Sequence, residues 1–218
     1  MVIGYFGVPG CGKTTTGVAI GIKELKKRIR KRYENIYSVN VDIEGIKRIT
    51  KEDFRKYRFT NSLILWDEIT LDYDNRDFKT FTIEDKKAWL LHRHTGSDII
   101  YFTQNYENVD KKIRDITNEL WYMEKGKIIT GITKAKQIYR VITINETSSD
   151  LVLGYRFPIW IEKIKGHTQK LIWRKKWYKY FDSFELLGLE EREEYEKRNI
   201  NDNNNNININ SWNKSESN

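Results

Sequence analysis

Short apolar runs and longer stretches of helical spacing take turns along the first half of this chain. Val2-Ile3-Gly4-Tyr5-Phe6, Leu63-Ile64-Leu65-Trp66, Ile99-Ile100-Tyr101-Phe102 and Leu120-Trp121-Tyr122-Met123 are runs of strand length, and Ile36 to Val41 alternates with a period of two. Runs of this kind mark strands buried in a sheet. Helical spacing covers Thr14 to Tyr33 and Thr82 to Thr95, the latter with Thr82 as cap, Ile83, Trp89, Leu90 and Leu91 for a core face, and Gly96 as stop. Val109, Ile113 and Ile116 suggest a further helix, capped by Thr103 or Asn105, while the charged stretch from Lys47 to Arg58 reads as exposed. Strands alternating with helices predict a three-layer α/β fold around a mostly parallel sheet of five strands.

The pattern changes after residue 127. Ile138 to Ile144 and Ile159 to Ile164 read as strands, and a turn at Gly166-His167 leads into Leu171-Ile172-Trp173. Lys163, Lys165, Lys170, Arg174, Lys175, Lys176 and Lys179 are interleaved there with Trp173, Trp177, Tyr178 and Tyr180. That interleaving suits a half-buried hairpin, and it also suits a surface that combines backbone charge with base stacking. Glu185 to Glu196 reads as an acidic helix, and ten asparagines in the last twenty residues predict a disordered tail. The expected organisation is a core over 1–127, a β-rich part of the same domain over 128–185, and the acidic helix and tail over 186–218.

Composition narrows the classes of function. Thirty-nine basic against 31 acidic residues give +8, which is compatible with a polyanionic partner and equally with plain solubility. Lys23, Lys26, Lys27, Arg28, Arg30, Lys31 and Arg32 crowd the end of the first predicted helix. Cations are favoured there by the helix dipole, so a solvated face is the commoner explanation than a nucleic-acid contact. The single cysteine, Cys11, excludes an internal disulfide or a cysteine-based zinc site, and His92, His94 and His167 form no convincing metal set. The most apolar stretch, Leu151 to Ile161, is interrupted by Arg156 and Pro158 and falls short of the ~20 residues a membrane span needs. The first strand begins at once, which leaves no room for a cleaved signal, and a reducing interior is the expected setting.

The strongest chemical signal is Gly7-Val8-Pro9-Gly10-Cys11-Gly12-Lys13-Thr14, which fits G-x-x-x-x-G-K-[ST] at every fixed position and lies between a predicted strand and a predicted helix. Glycines let successive backbone N–H groups turn inward around a phosphate, and the helix that follows presents its positive end to the same anion. Gly7 through Thr15 are therefore expected to bind the nucleotide, with Lys13 on the β- and γ-phosphates and Thr14 on Mg²⁺. The run Leu63 to Trp66 ends in Asp67-Glu68, fifty-four positions after Lys13. A carboxylate at the end of a parallel strand lies beside the phosphate loop, so Asp67 is expected to hold Mg²⁺ with Thr14 and Glu68 to activate water. Gln104, after the strand ending in Phe102, is expected to report on the γ-phosphate.

These motifs, in this order, resemble the additional-strand catalytic-glutamate (RecA/ASCE-like) P-loop NTPases and, among them, the DNA-pumping FtsK/HerA-like ATPases. Leu91-His92-Arg93-His94-Thr95-Gly96-Ser97-Asp98-Ile99-Ile100, then Phe102-Thr103-Gln104, Val109-Asp110 and Ile113-Arg114, is similar to the "RH-x-G-x-D-I … TQ … ID … R" run of the zonular occludens toxin (Zot) domain, shared with the gene I assembly proteins of filamentous phages. Arg76 and Tyr180-Phe181-Asp182-Ser183-Phe184-Glu185 resemble further segments of that domain, and the likeness spans roughly residues 2 to 185. It implies a motor ATPase for assembly and extrusion, or for genome packaging, of a filamentous or other single-stranded DNA virus. ATP and Mg²⁺ would be its cofactors and single-stranded viral DNA its partner. By analogy with ring motors, the enzyme would be a homo-oligomeric ring in which Arg93 reaches a neighbour's nucleotide, with Arg76 and Arg114 as alternates.

Family members usually continue into a membrane-spanning helix, whereas this chain ends in asparagines. The resemblance then implies a host-cytoplasmic protein, either brought to the inner face of the membrane by a membrane or virion partner or working as a soluble packaging motor. Rival readings are a nucleoside monophosphate kinase, which needs an arginine-rich lid; an AAA+ ATPase, which needs a small helical domain; and a non-hydrolysing nucleotide-gated scaffold, which has no use for Glu68.

Overall fold

A computed structural model describes residues 1–29, 31–77, 81–126, 131–144, 151–159 and 168–181. Arg30, Lys163, Lys165, most of the strand expected over 159–164, the turn at Gly166-His167, the acidic helix and the asparagine-rich tail lie outside them.

The parallel part of the sheet holds β1 (Val2–Phe6), β2 (Asn35–Val39), β3 (Lys47–Arg48), β4 (Ser62–Trp66), β5 (Asp98–Thr103) and β6 (Glu119–Lys125), in the spatial order β3-β2-β4-β5-β1-β6. β1 lies between β5 and β6, with Gly4 opposite Tyr101 on one side and Leu120 on the other. The continuous apolar runs β4 and β5 are buried along their whole length, as strands covered on both faces must be. The sheet then turns antiparallel through β7 (Ile132–Ile144) on β6, with β8 (Leu151–Arg156) and β9 (Gln169–Trp173) both pairing with β7. β9 pairs with its first half, Ile132–Lys136, and β8 with its second, Tyr139–Ile144.

Helices cover the two faces: α1 (Lys13–Leu25), α2 (Lys51–Lys56), α3 (Ile83–Leu91) and α4 (Lys111–Ile116). On the α1 face the core joins Val18 and Ile22 to Tyr5, Leu65, Phe102 and Met123, and runs on without a break to Ala135, Ile172 and Trp177. The opposite face packs Phe54, Trp66, Tyr73, Trp89, Tyr101 and Ile113. The strands after residue 127 therefore extend the same sheet, and β7 and β9 share the α1-face core. Among the described residues no helix is long and apolar enough to cross a membrane.

Several expected elements change shape. α1 stops at Leu25 rather than Tyr33, where the basic residues crowd; like charges three and four apart oppose further turns. The charged stretch 47–58 is not simply exposed, because it forms β3 and α2 and buries Ile49 and Phe54. Thr82 caps α3 in a reciprocal box with Asp85, yet of the four residues expected to face the core only Trp89 is buried; Ile83, Leu90 and Leu91 are exposed. Asp110 caps α4, while Asn105 caps a separate single turn at Tyr106–Asn108. β7 starts before Ile138, and β8 occupies part of the most apolar stretch. The aromatic–basic run packs onto α1, with Lys23 over Trp177 and Lys26 over Tyr180, although Trp173 and Tyr178 keep about half their surface.

Candidate nucleotide site

β1 ends at Phe6 and α1 begins at Lys13, so the glycine-rich loop spans the carboxyl edge of the sheet and runs directly into a helix N-terminus. Gly10 and Gly12 hold positive φ, 71° and 96°, conformations that other residues adopt only under strain. Lys13 donates from Nζ to the Gly7 carbonyl at 2.9 Å and the Val8 carbonyl at 3.4 Å, so its ammonium lies across the mouth of the loop. The Gly7 N–H donates to the Thr103 carbonyl at 3.3 Å, tying the loop to the end of β5. Val8, Pro9 and Gly10 form the exposed crest, Cys11 is fully buried, and Thr15 is buried in the first helical turn.

Asp67 comes off the end of β4, and its carboxylate oxygen Oδ2 accepts a hydrogen bond from Thr14 Oγ1 at 2.6 Å. Two side chains separated by 53 positions in sequence thus meet at the carboxyl edge. Burial pushes the Asp67 carboxyl up to about 6; the Thr14 hydrogen bond opposes the rise and the neighbouring Glu68 charge adds to it. A carboxylate disfavoured in this way gains from a cation beside it. The paired oxygens of Thr14 and Asp67 are the hard donor set that suits Mg²⁺.

Glu68 has left-handed backbone, φ 36°. Its Oε1 accepts from the Thr70 hydroxyl at 2.7 Å and from the Gln104 backbone N–H at 3.4 Å. The ends of β4 and β5 are thereby joined, and Gln104 is exposed. Thr103 is fully buried and turns its hydroxyl to the Asn105 carbonyl, 3.1 Å away.

Two residues with no motif fix this edge. Asn40, left-handed at the end of β2, donates from Nδ2 to the Asp67 carbonyl at 3.3 Å and to Asp72 Oδ2 at 2.7 Å, and Trp66 Nε1 donates to the same Asp72 oxygen at 2.8 Å. The one hint in the sequence was a polar residue at the end of each of two adjacent strands. Thr133 and Arg174, from the second half of the chain, bond the loop carbonyls of Cys11 and Gly10 at 2.6 and 3.1 Å.

Arg93 is not brought to this edge. It lies exposed in the turn between α3 and β5, at the amino ends of the strands, roughly 20 Å away at about 3.3 Å per strand residue. Arg76 is exposed beyond β4, and Arg114 is half-buried on α4 over the Tyr106 ring. Among the described residues no cluster of His, Cys, Asp or Glu could hold a metal by itself.

A family model described as zonular occludens toxin (Zot) matches residues 23–184, which begins past the phosphate loop. No curated protein matches. Among solved structures, the chain is similar to the N-terminal domain of zonular occludens toxin from Neisseria meningitidis, at 17% identity and a TM-score of 0.51, over 83% of this chain and 98% of that one. The genome packaging NTPase B204 from Sulfolobus turreted icosahedral virus 2, in complex with ATP-gammaS, follows at 9% identity and TM-score 0.43, over 72% and 97%. The flagellar accessory protein FlaH from Methanocaldococcus jannaschii stands at 14% and 0.41, over 72% and 89%.

Proposed function

The chain belongs to the zonular occludens toxin (Zot) family, and from that premise we propose that it is a P-loop ATPase coupling ATP hydrolysis to DNA movement in the assembly, extrusion or genome packaging of a single-stranded DNA virus. The observation that carries this reading is the contact between Thr14 and Asp67 beneath a complete phosphate loop, with Glu68 and Gln104 side by side at the same edge. The loop and Thr14 lie outside the residues matched by the family model, whereas Asp67, Glu68 and Gln104 lie within them.

In this mechanism the loop N–H groups and Lys13 hold the β- and γ-phosphates, and Lys13 leaves its resting carbonyl partners to do so. Thr14 and Asp67 would hold Mg²⁺, which would supply positive charge against the transferred phosphoryl group. Glu68 orients and deprotonates the attacking water, and its bonds to Thr70 and the Gln104 N–H aim the carboxylate. Gln104 senses the γ-phosphate from the neighbouring strand. Arg93 acts only in trans, in a homo-oligomeric ring whose contacts bring the α3–β5 turn of one subunit to the nucleotide of the next. DNA is the partner, the host cytoplasm is the setting, and a membrane or virion protein brings the motor to the place of assembly.

The test is ATP turnover by purified protein with and without single-stranded DNA, beside Glu68→Gln. Turnover stimulated by DNA and abolished in the variant is expected. A protein that binds ATP and never hydrolyses it would overturn the motor in favour of a nucleotide-gated scaffold.

A further inference from the structure

The phosphate loop is gripped on its outer side by strands more than a hundred positions away in sequence. Thr133, fully buried on β7, donates through Oγ1 to the Cys11 carbonyl at 2.6 Å. Arg174, immediately after β9, donates from Nη1 to the Gly10 carbonyl at 3.1 Å, and its own backbone N–H is fixed to the Gly131 carbonyl at 2.8 Å. Steric contact matches the hydrogen bonds. A Cβ on Gly12 would stand 2.3 Å from Thr133 Oγ1 and 2.7 Å from Arg174 Cδ, and one on Gly7 would stand 2.3 Å from the Met123 carbonyl oxygen. Among the described residues the buried Arg174 Nε has no partner, so the guanidinium carries an unspent donor next to the loop.

A loop rich in glycine is free to adopt many shapes, and only those with N–H groups turned inward bind a phosphate. Holding consecutive carbonyls, Gly10 and Cys11, from outside fixes the peptide planes and with them the direction of the N–H groups. We propose that Arg174 and Thr133 form a clamp on the phosphate loop, positioning residues that pre-set it for the anion. The strands after residue 127 are then a wall of the nucleotide site. This inference rests on the nucleotide reading above, and its test is separable from it.

Cys11 is the single cysteine of the chain and is 0% exposed, so its reaction with the thiol reagent DTNB reports opening of the loop itself. In Arg174→Ala and Thr133→Val, labelling of Cys11 in the folded protein is expected to accelerate about tenfold or more while the melting temperature holds, as local opening does. The Kd for mant-ATP is expected to rise about tenfold in both. Thr133→Ser restores slow labelling and tight binding, and Arg174→Lys, with a cation but one donor group, restores them in part. Wild-type labelling rates in both variants would overturn the clamp. So would acceleration that merely tracks a falling melting temperature. Wild-type protein that ignores mant-ATP would remove the nucleotide reading, and the labelling rates would still decide whether these residues hold the loop.

Discussion

Asp67 and Asp98 stand at opposite ends of neighbouring strands, and the protein treats them in opposite ways. Asp98, at the start of β5, accepts from the Tyr33 hydroxyl at 2.6 Å and pairs with Arg32 at 2.6 Å and with the amino group of Met1. Burial works against its charge, but those partners outweigh it and hold the carboxyl below its usual range. Asp67, after β4, is bonded by the neutral hydroxyl of Thr14, and burial lifts it to about 6. An acid that already has its cations ties segments together; an acid held by a hydroxyl is the one with a cation still to gain. Placement at the carboxyl edge and unmet charge together single out Asp67.

The contrast is sharpest where activity and stability part. Asp67→Asn and Glu68→Gln should each lower ATP turnover about a hundredfold to a thousandfold, as loss of a metal ligand or a general base does, with little change in the urea midpoint. A large loss of stability in either would erase the distinction between the two edges.

Structural acids should behave the other way. Asp85 is 0% exposed and takes a two-pronged contact from Arg55 at 2.8 Å, as well as the Tyr73 hydroxyl at 2.5 Å. Burial raises its carboxyl, but these bonds and that of the Thr82 N–H prevail and hold it below the ordinary value. Because the folded value is depressed, the stabilisation is complete above the unfolded value of about 4 and is lost as pH falls through the folded one. Asp85→Asn should cost roughly 2–4 kcal/mol at neutral pH, since Arg55 and Tyr73 lose a charged partner, and should flatten the acid limb of the stability curve. Chemical denaturation from about two units below to about three units above the unfolded value measures both.

Asp98→Asn should cost less, about 1–2 kcal/mol, because Arg32 and Met1 are largely exposed, and it should leave turnover intact. The smallest effect is expected at Arg93. Arg93→Ala should not alter mant-ATP affinity in dilute protein, and should lower turnover only at concentrations where subunits assemble; an equal loss at every concentration would count against action in trans.

What could be read from the sequence was what is encoded locally. The phosphate loop, Asp67, Glu68 and Gln104 are defined by spacing within a strand, a loop and a helix start, and the structure places them at one edge. The Arg-His run was legible as a family signature, yet Asp98 in that run proves to be a fastening at the far edge. Periodicity could not tell which of Trp89, Leu90 and Leu91 meets the core, because all three are apolar and only the tertiary packing of Trp89 against Phe54, Trp66 and Tyr73 decides. Thr133 and Arg174 carry no local mark: one is an ordinary strand threonine, the other one cation among many, and each gains its role from a contact more than a hundred residues away.

The length of β7 gives the molecule a mechanical axis. Its first residues brace the loop, and its last ones leave β6 and β9 behind and form a ribbon with β8 alone. From Thr133 to Ile144 the strand reaches roughly 35 Å at about 3.3 Å per residue, in one unbroken span. A strut of this kind passes load along its axis with little give. Force applied to the ribbon would therefore reach the Cys11 peptide group through Thr133.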